Sequence, residues 1–143
     1  MSSNRSIKEV IKEKYGSIAK QTEQSDCGCS CGCMPSTTID YTVMSDDYTT
    51  KDGYLPEADL GLGCGSPTDF ANIREGETVL DLGAGAGNDV FVARKSVGDS
   101  GKVIGLDMTQ EMIDKARKNT AKLGYTNVDF VLGEIEDMPI KDN

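Results

Sequence analysis

The sequence predicts an α/β fold of three parallel strands with flanking helices. Two observations lead there. From residue 77 onward, short apolar runs alternate with helical periodicities in the order strand, helix, strand, helix, strand. That alternation implies right-handed crossovers, and so a parallel sheet with helices on its faces. The 143 residues suffice for one ordinary domain, and a compact chain of that length buries roughly two-thirds of the surface its unfolded form exposes.

Residues 6–19 read as a first helix. Ile7, Val10, Ile11, Tyr15 and Ile18 fall on one helical stripe. Ser6 and Glu9 have capping-box spacing, and Gly16 weakens the last turn. Residues 21–58 are rich in Ser, Thr, Asp, Gly and Cys, so loop is expected there. Thr78–Leu82 reads as a buried strand ending at Gly83, and Asn88–Val97 as a helix closed by Gly98. Lys102–Asp107 is the second strand. Thr109 has the character of an N-cap for a helix over Gln110–Leu123, with Met112, Ile113, Ala116 and Leu123 on one face. Glu111–Lys115 and Asp114–Lys118 are favourable i,i+4 pairs, and Gly124 follows as a stop. Val128–Leu132 is the third strand.

The chain therefore divides into an N-terminal amphipathic helix (1–20), a Cys-rich, loop-like segment (21–58) and an α/β unit (59–143). A doubly wound sheet continues on the other side of its first strand. No residues here supply those strands. The expectation is the N-terminal part of a longer protein, whose first strand is left as an exposed edge.

Fifteen basic against 24 acidic residues give a net charge of −9. That argues against a duplex nucleic-acid binder, which needs Lys and Arg to neutralise phosphates, and against docking on an anionic membrane surface. There is no run of 18 apolar residues, and Met1 to Arg5 lead into no apolar signal stretch, so a cytoplasmic location is expected. The absence of His removes the commonest general base. Four of the five cysteines sit in Cys27-Gly28-Cys29-Ser30-Cys31-Gly32-Cys33, and the fifth is Cys64. An odd count without a secretion signal favours reduced thiols, whose thiolates are soft ligands.

The chemistry should gather at three loops. The first βα turn is Asp81-Leu82-Gly83-Ala84-Gly85-Ala86-Gly87. Its glycines let a ligand approach the backbone at the start of the next helix. The spacing is G-x-G-x-G rather than the dinucleotide G-x-G-x-x-G. Asp81 would repel a pyrophosphate and welcome a ligand carrying ammonium and sulfonium groups. Asp107 follows Gly87 by 20 residues. An acid so placed ends the adjacent strand and can accept from ribose hydroxyls, or it can cap the following helix. Met108 can pack on an adenine face or in the core. Gly133-Glu134-Ile135-Glu136-Asp137 offers an acid to an adenine amino group, or forms a solvated acidic loop.

At this point the sequence resembles the S-adenosylmethionine-dependent methyltransferases of Rossmann-like fold, through Val79 to Gly87, Ile104 to Thr109 and Gly133 to Pro139. The resemblance covers residues 77–139. It implies a methyltransferase fold truncated to its first three strands and S-adenosyl-L-methionine as cofactor. It further implies that Asp81, Gly83 and Gly85 hold the methionine end, Asp107 the ribose, and Met108, Glu134 and Ile135 the adenine.

Leu60-Gly61-Leu62-Gly63-Cys64-Gly65-Ser66-Pro67-Thr68 is similar to the glycine–cysteine segment of the arsenite methyltransferases, as are Val103 to Thr109 and Gly133 to Glu136. In that family three cysteines bind trivalent arsenic beside the methyl donor. Cys64 matches the first, and the other two would lie downstream of Asn143. The resemblance thus implies methyl transfer to trivalent arsenic held by thiolates, with Cys64 as catalytic and metal ligand and a thiol reductant as partner, the present piece being inactive alone. It also implies that the helix of Tyr15 covers the donor, against simple packing of an amphipathic helix.

The chemistry is coherent. Trivalent arsenic prefers thiolates and keeps a lone pair that can attack a sulfonium methyl in line. No proton leaves the nucleophile, so no general base is needed, and catalysis is mostly positioning. Cys27, Cys29, Cys31 and Cys33 lie two apart, so a strand would place all four on one face. This is not the C-x-x-C spacing of structural zinc. They read either as a site for arsenic or another thiophilic metal, or as a tail with none. Two other functions compete: a methyltransferase of a small organic acceptor such as a quinone, and a non-catalytic thiol-rich metal binder on the same fold.

Overall fold

The structure, a computed structural model, describes residues 6–21, 48–62 and 65–141. Strands β1 (Thr78–Leu82), β2 (Lys102–Asp107) and β3 (Val128–Leu132) form one parallel sheet in the order β1-β2-β3. Helices α2 (Asn88–Val97) and α3 (Gln110–Leu123) make the two crossovers, and α1 (Ile7–Gln21) packs on α3. The expected α/β architecture is the observed one.

The register explains where the core lies. Val79, Val103 and Val128 stand side by side, as do Gly105 and Phe130. Neighbours in register point to the same face, and this face is buried under α2 and α3 with Val90, Phe91, Ile113 and Ala116. Gly105 is required here. A Cβ on it would lie 2.6 Å from Phe130 Cε1 and 2.8 Å from Ala84 Cβ. Phe130 meets Phe91 edge to face, with ring centroids 6.1 Å apart.

The opposite face departs from expectation. Thr78–Leu82 reads as a buried strand, yet Leu80 is 39% and Leu82 46% exposed. Both helices lie on the other side, a consequence of two right-handed crossovers running the same way, and β1 is an edge among the described residues. An apolar strand is buried only where both faces are covered.

Helix α1 starts as its sequence dictates. The Ser6 N–H donates to Glu9 Oε2 at 2.9 Å, and the Glu9 N–H donates to Ser6 Oγ at 3.3 Å, a reciprocal capping box. The helix runs through Gly16 to Gln21, beyond the expected end. Gly16 admits close contact: a Cβ there would lie 2.9 Å from Glu111 Oε2 on α3. The apolar stripe is only partly used. Ile7 and Val10 are exposed, whereas Gly16 and Ala19 are buried. Charge does the rest, because Glu111 pairs with Lys20 of α1 at 2.9 Å. Thr109 occupies the N-cap position of α3 but makes no capping bond through its side chain. Residues 48–58, the described part of the segment expected to be loop, form turns without helix or strand.

Candidate functional site

The glycine loop leaves β1 at the C-terminal edge of the sheet. Its path is set by backbone bonds: the N–H groups of Gly83 and Ala84 both donate to Leu106 O, at 2.8 and 2.9 Å. Asn119 of α3 donates from Nδ2 to Ala86 O at 3.3 Å. Gly83 and Gly85 have φ of 83° and 52°. A Cβ on either would meet nothing within 4 Å, so the backbone lies open to whatever occupies the space above. Gly87 is different. A Cβ there would lie 2.8 Å from Phe130 Cζ, so this glycine serves the packing of α2 on the sheet.

That space is a cleft of about 530 Å³, within the size range of small-molecule sites. Gly83, Gly85, Asp107, Met108, Glu134 and Ile135 all line it, so the structure brings six of the seven expected cofactor-binding residues to one cavity. Asp81 is the exception. It is not part of the lining, yet it lies within electrostatic reach of Asp89 and Asp107. Burial pushes its carboxyl up to about 6, and the neighbouring Asp89 and Asp107 add to the rise.

Asp107 does two things at once. Its Oδ2 accepts the Gly85 N–H at 3.0 Å, and its Oδ1 accepts the Thr109 N–H at 2.8 Å. The bond at the helix start and a place in the cleft lining therefore coexist in one carboxylate. It ties the glycine loop to the end of β2 while lining the cleft, and each oxygen keeps a further lone pair.

Glu134, on the loop after β3, is ion-paired through both oxygens, to Lys12 at 2.7 Å and Lys8 at 2.8 Å. These lysines hold its carboxyl down at about 2. Lys8 also meets Glu136 at 3.1 Å. Three α1 residues, Lys8, Ile11 and Tyr15, line the cleft, so α1 covers one side of it.

The structure adds residues that the sequence did not single out. Asn88 and Asp89, at the start of α2, line the cleft, as do Asp59, Leu60 and Leu62. An acid in a first helical turn ordinarily complements the helix dipole, so Asp89 gave no separate signal. Burial raises its carboxyl, and Asp69 adds to this, while the Tyr48 phenol and Lys51 pull it down. Asn88 Oδ1 is buried without a hydrogen-bond partner among the described residues. Cys64 and the cluster Cys27, Cys29, Cys31 and Cys33 lie outside the described residues. Among the described residues no helix is long and apolar enough to cross a membrane.

Open glycine backbone, an acid at the end of β2 and a surplus of carboxylates suit a cationic nucleoside. Comparison with known proteins agrees. A family model described as a methyltransferase domain matches residues 73–143. The chain is 45% identical over 148 residues to the arsenite methyltransferase of Halobacterium salinarum, covering 94% of this chain and 37% of that protein. It is 33% identical over 88 residues to the protein-L-isoaspartate O-methyltransferase of Methanococcus maripaludis, covering 54% of this chain and 42% of that protein. Among solved structures, a SAM-dependent methyltransferase from Aquifex aeolicus superposes with a TM-score of 0.50 at 38% identity, over 54% of this chain and 41% of that one. The chain spans about two-fifths of the length of each of these three.

Proposed function

This chain belongs to the S-adenosylmethionine-dependent methyltransferases, and from that premise we propose that its protein methylates trivalent arsenic held on cysteine thiolates. S-adenosylmethionine, when bound, supplies an electrophilic methyl on a positively charged sulfur. The observation that carries the donor reading is Asp107, which faces the cleft while bonded to the open glycine loop. In this reading Asp107 accepts from the ribose hydroxyls, and Met108, Glu134 and Ile135 surround the base. Gly83 and Gly85 offer backbone to the methionine end, and Asp81 supplies negative charge behind it. Lys8 and Lys12, by engaging Glu134, keep α1 over the cleft.

The acceptor reading rests on the likeness to the Halobacterium salinarum protein over nearly the whole chain and on Cys64 in its glycine-rich segment. Cys64 would hold arsenic as a thiolate, and the arsenic lone pair would take the methyl without a base. The cysteines at 27, 29, 31 and 33 would capture or deliver the soft ion, and a thiol reductant would return it to the trivalent state.

The test uses the full-length protein. Calorimetry with S-adenosylmethionine should show binding that Asp107→Ala weakens at least about tenfold, given hydrogen bonds to a charged acceptor. Arsenite titration should show thiol-dependent binding lost in Cys64→Ser. Donor binding without arsenite binding would redirect the function to an organic acceptor. Arsenite binding without donor binding would leave a metal binder.

A further inference from the structure

Among the described residues the cleft lining holds five carboxylates, and they are unequally matched. Asp107 accepts two backbone N–H groups, from Gly85 and Thr109. Glu134 pairs with Lys8 and Lys12, and Glu136 with Lys8. Asp59 accepts the Gly61 N–H at 3.0 Å and the Tyr54 hydroxyl at 3.2 Å. Asp89 is the least compensated. Among the described residues its carboxylate faces one donor, the Tyr48 hydroxyl, at 3.2 and 3.4 Å. A strong O–H···O⁻ bond measures about 2.5–2.7 Å. The same hydroxyl also stands at hydrogen-bonding distance from the Gly65 carbonyl oxygen, and a phenol has a single proton to share.

The surroundings do not supply the missing charge. Lys51 attracts Asp89, but its ammonium grips both oxygens of Asp69, at 2.6 and 2.5 Å. Asp81 lies near enough for its charge and that of Asp89 to repel. A half-buried carboxylate with an incomplete partner is costly, and a cation entering the cleft completes it. The position of Asp89 says which part of the cleft this is. It is the second residue of α2 and follows Gly87 by two, so it stands at the helix end of the loop whose Gly83 and Gly85 leave their backbone open. Its chemistry says which cation fits. A carboxylate offers about four lone-pair sites, and an ammonium brings three N–H donors to them. A sulfonium brings none.

We propose that Asp89, facing the cleft from the first turn of α2, binds the α-ammonium group at the amino-acid end of the methyl donor. This rests on the reading that the cleft takes S-adenosylmethionine. Asp107, Met108, Glu134 and Ile135 then serve the nucleoside, and Asp89 serves the other end. The ammonium stays on the molecule when the methyl leaves, so Asp89 holds donor and demethylated product alike. An acid in a first helical turn can also act by complementing the helix dipole. That role is indifferent to the ligand in the cleft, which separates the two by experiment.

The experiment measures binding of three probes to the full-length protein by calorimetry. S-adenosylmethionine carries both ammonium and sulfonium. S-adenosylhomocysteine keeps the ammonium and has a neutral sulfur. 5′-Methylthioadenosine keeps the nucleoside and lacks the amino-acid end. Asp89→Asn should weaken the first two to the same extent, by at least about tenfold, as expected for a lost hydrogen bond between charged groups. It should leave 5′-methylthioadenosine at its wild-type affinity, which also shows that the nucleoside site is intact. Asp129→Asn removes the same charge from β3, outside the cleft lining, and should leave all three affinities unchanged. A loss confined to S-adenosylmethionine would mean that Asp89 attends to the sulfonium, and the proposal would fall. It would fall equally if all three affinities dropped together with the melting temperature, the mark of a helix-dipole role, if Asp129→Asn matched Asp89→Asn, or if Asp89→Asn bound all three as wild type does. In each of those cases wild type still binds S-adenosylmethionine and the donor reading stands. Wild type that binds none of the three would remove the donor reading, and the assignment of Asp89 with it.

Discussion

Asp81 and Asp107 sit one strand apart and are set to different tasks by their surroundings. Asp107 is compensated by two backbone N–H donors, from Gly85 and Thr109. Asp81 is half-buried near two other acids, and its carboxyl rises from 3.8 to about 6. A raised carboxyl favours its neutral form in the folded state. The resulting stability is complete below 3.8 and is lost as pH rises through about 6. Asp81→Asn should therefore stabilise the ligand-free protein at pH 7, by on the order of 2 kcal/mol, and should lose that advantage at pH 4. Thermal unfolding at the two pH values checks this. The same substitution should weaken binding of a cationic donor at pH 7. The wild-type affinity itself should fall as pH drops below about 6, where the charge on Asp81 is lost. Calorimetry across pH 5 to 8 reads that slope, and a flat profile would remove Asp81 from donor binding.

Among the elements, the glycine loop and α1 show two ways in which a helix is placed. Helix α2 is placed by steric fit. At Gly87, φ is 99°, and a Cβ would strike Phe130 and Phe91 at 2.8 and 2.9 Å. Gly87→Ala should destabilise by about 2–4 kcal/mol, combining left-handed strain with overpacking, and denaturant titration measures it. Gly83→Ala meets no neighbour, so its cost to folding should be smaller and its cost to donor affinity larger. Helix α1 is placed by charge. Lys8, Lys12 and Lys20 engage Glu134, Glu136 and Glu111, all at partly exposed positions. Exposed ion pairs are screened by salt. Donor affinity should fall between 50 and 500 mM salt in wild type, and much less steeply in Lys8→Gln/Lys12→Gln. Equal salt slopes would show that α1 does not guard the cleft.

For the whole molecule, the decisive feature is a sheet whose helices, among the described residues, all lie on one face, while on the other only Leu106 is fully buried. Leu80 and Leu82 are exposed on the other, beside the half-buried Ile104 and Val131. Parallel sheets are stable when both faces are covered, and an apolar edge strand is a template for pairing. A polypeptide of residues 1–143 alone should therefore self-associate or bind an apolar dye, and Leu80→Lys/Leu82→Lys should reduce this. Sedimentation at increasing concentration tests it; a clean monomer with no dye binding would contradict it.

The three strands, both crossover helices and six of the residues that line the cleft were legible in the sequence. Local signals carried them: β-branched runs, the capping box at Ser6, the glycine stops at Gly98 and Gly124, and the loop Gly83–Gly87. These depend on neighbours a few residues apart, which a linear reading can see. Tertiary structure alone decided what depends on distant partners. It turned Glu111 toward Lys20 of α1, spread Glu134 over two lysines, kept Asp81 out of the lining, and left one face of β1 open. It also brought Tyr48 and Asp89 together across 41 residues. Periodicity tells which side of an element is apolar, but the cover that side receives, and the charge that settles beside it, is set by packing between elements far apart in the chain.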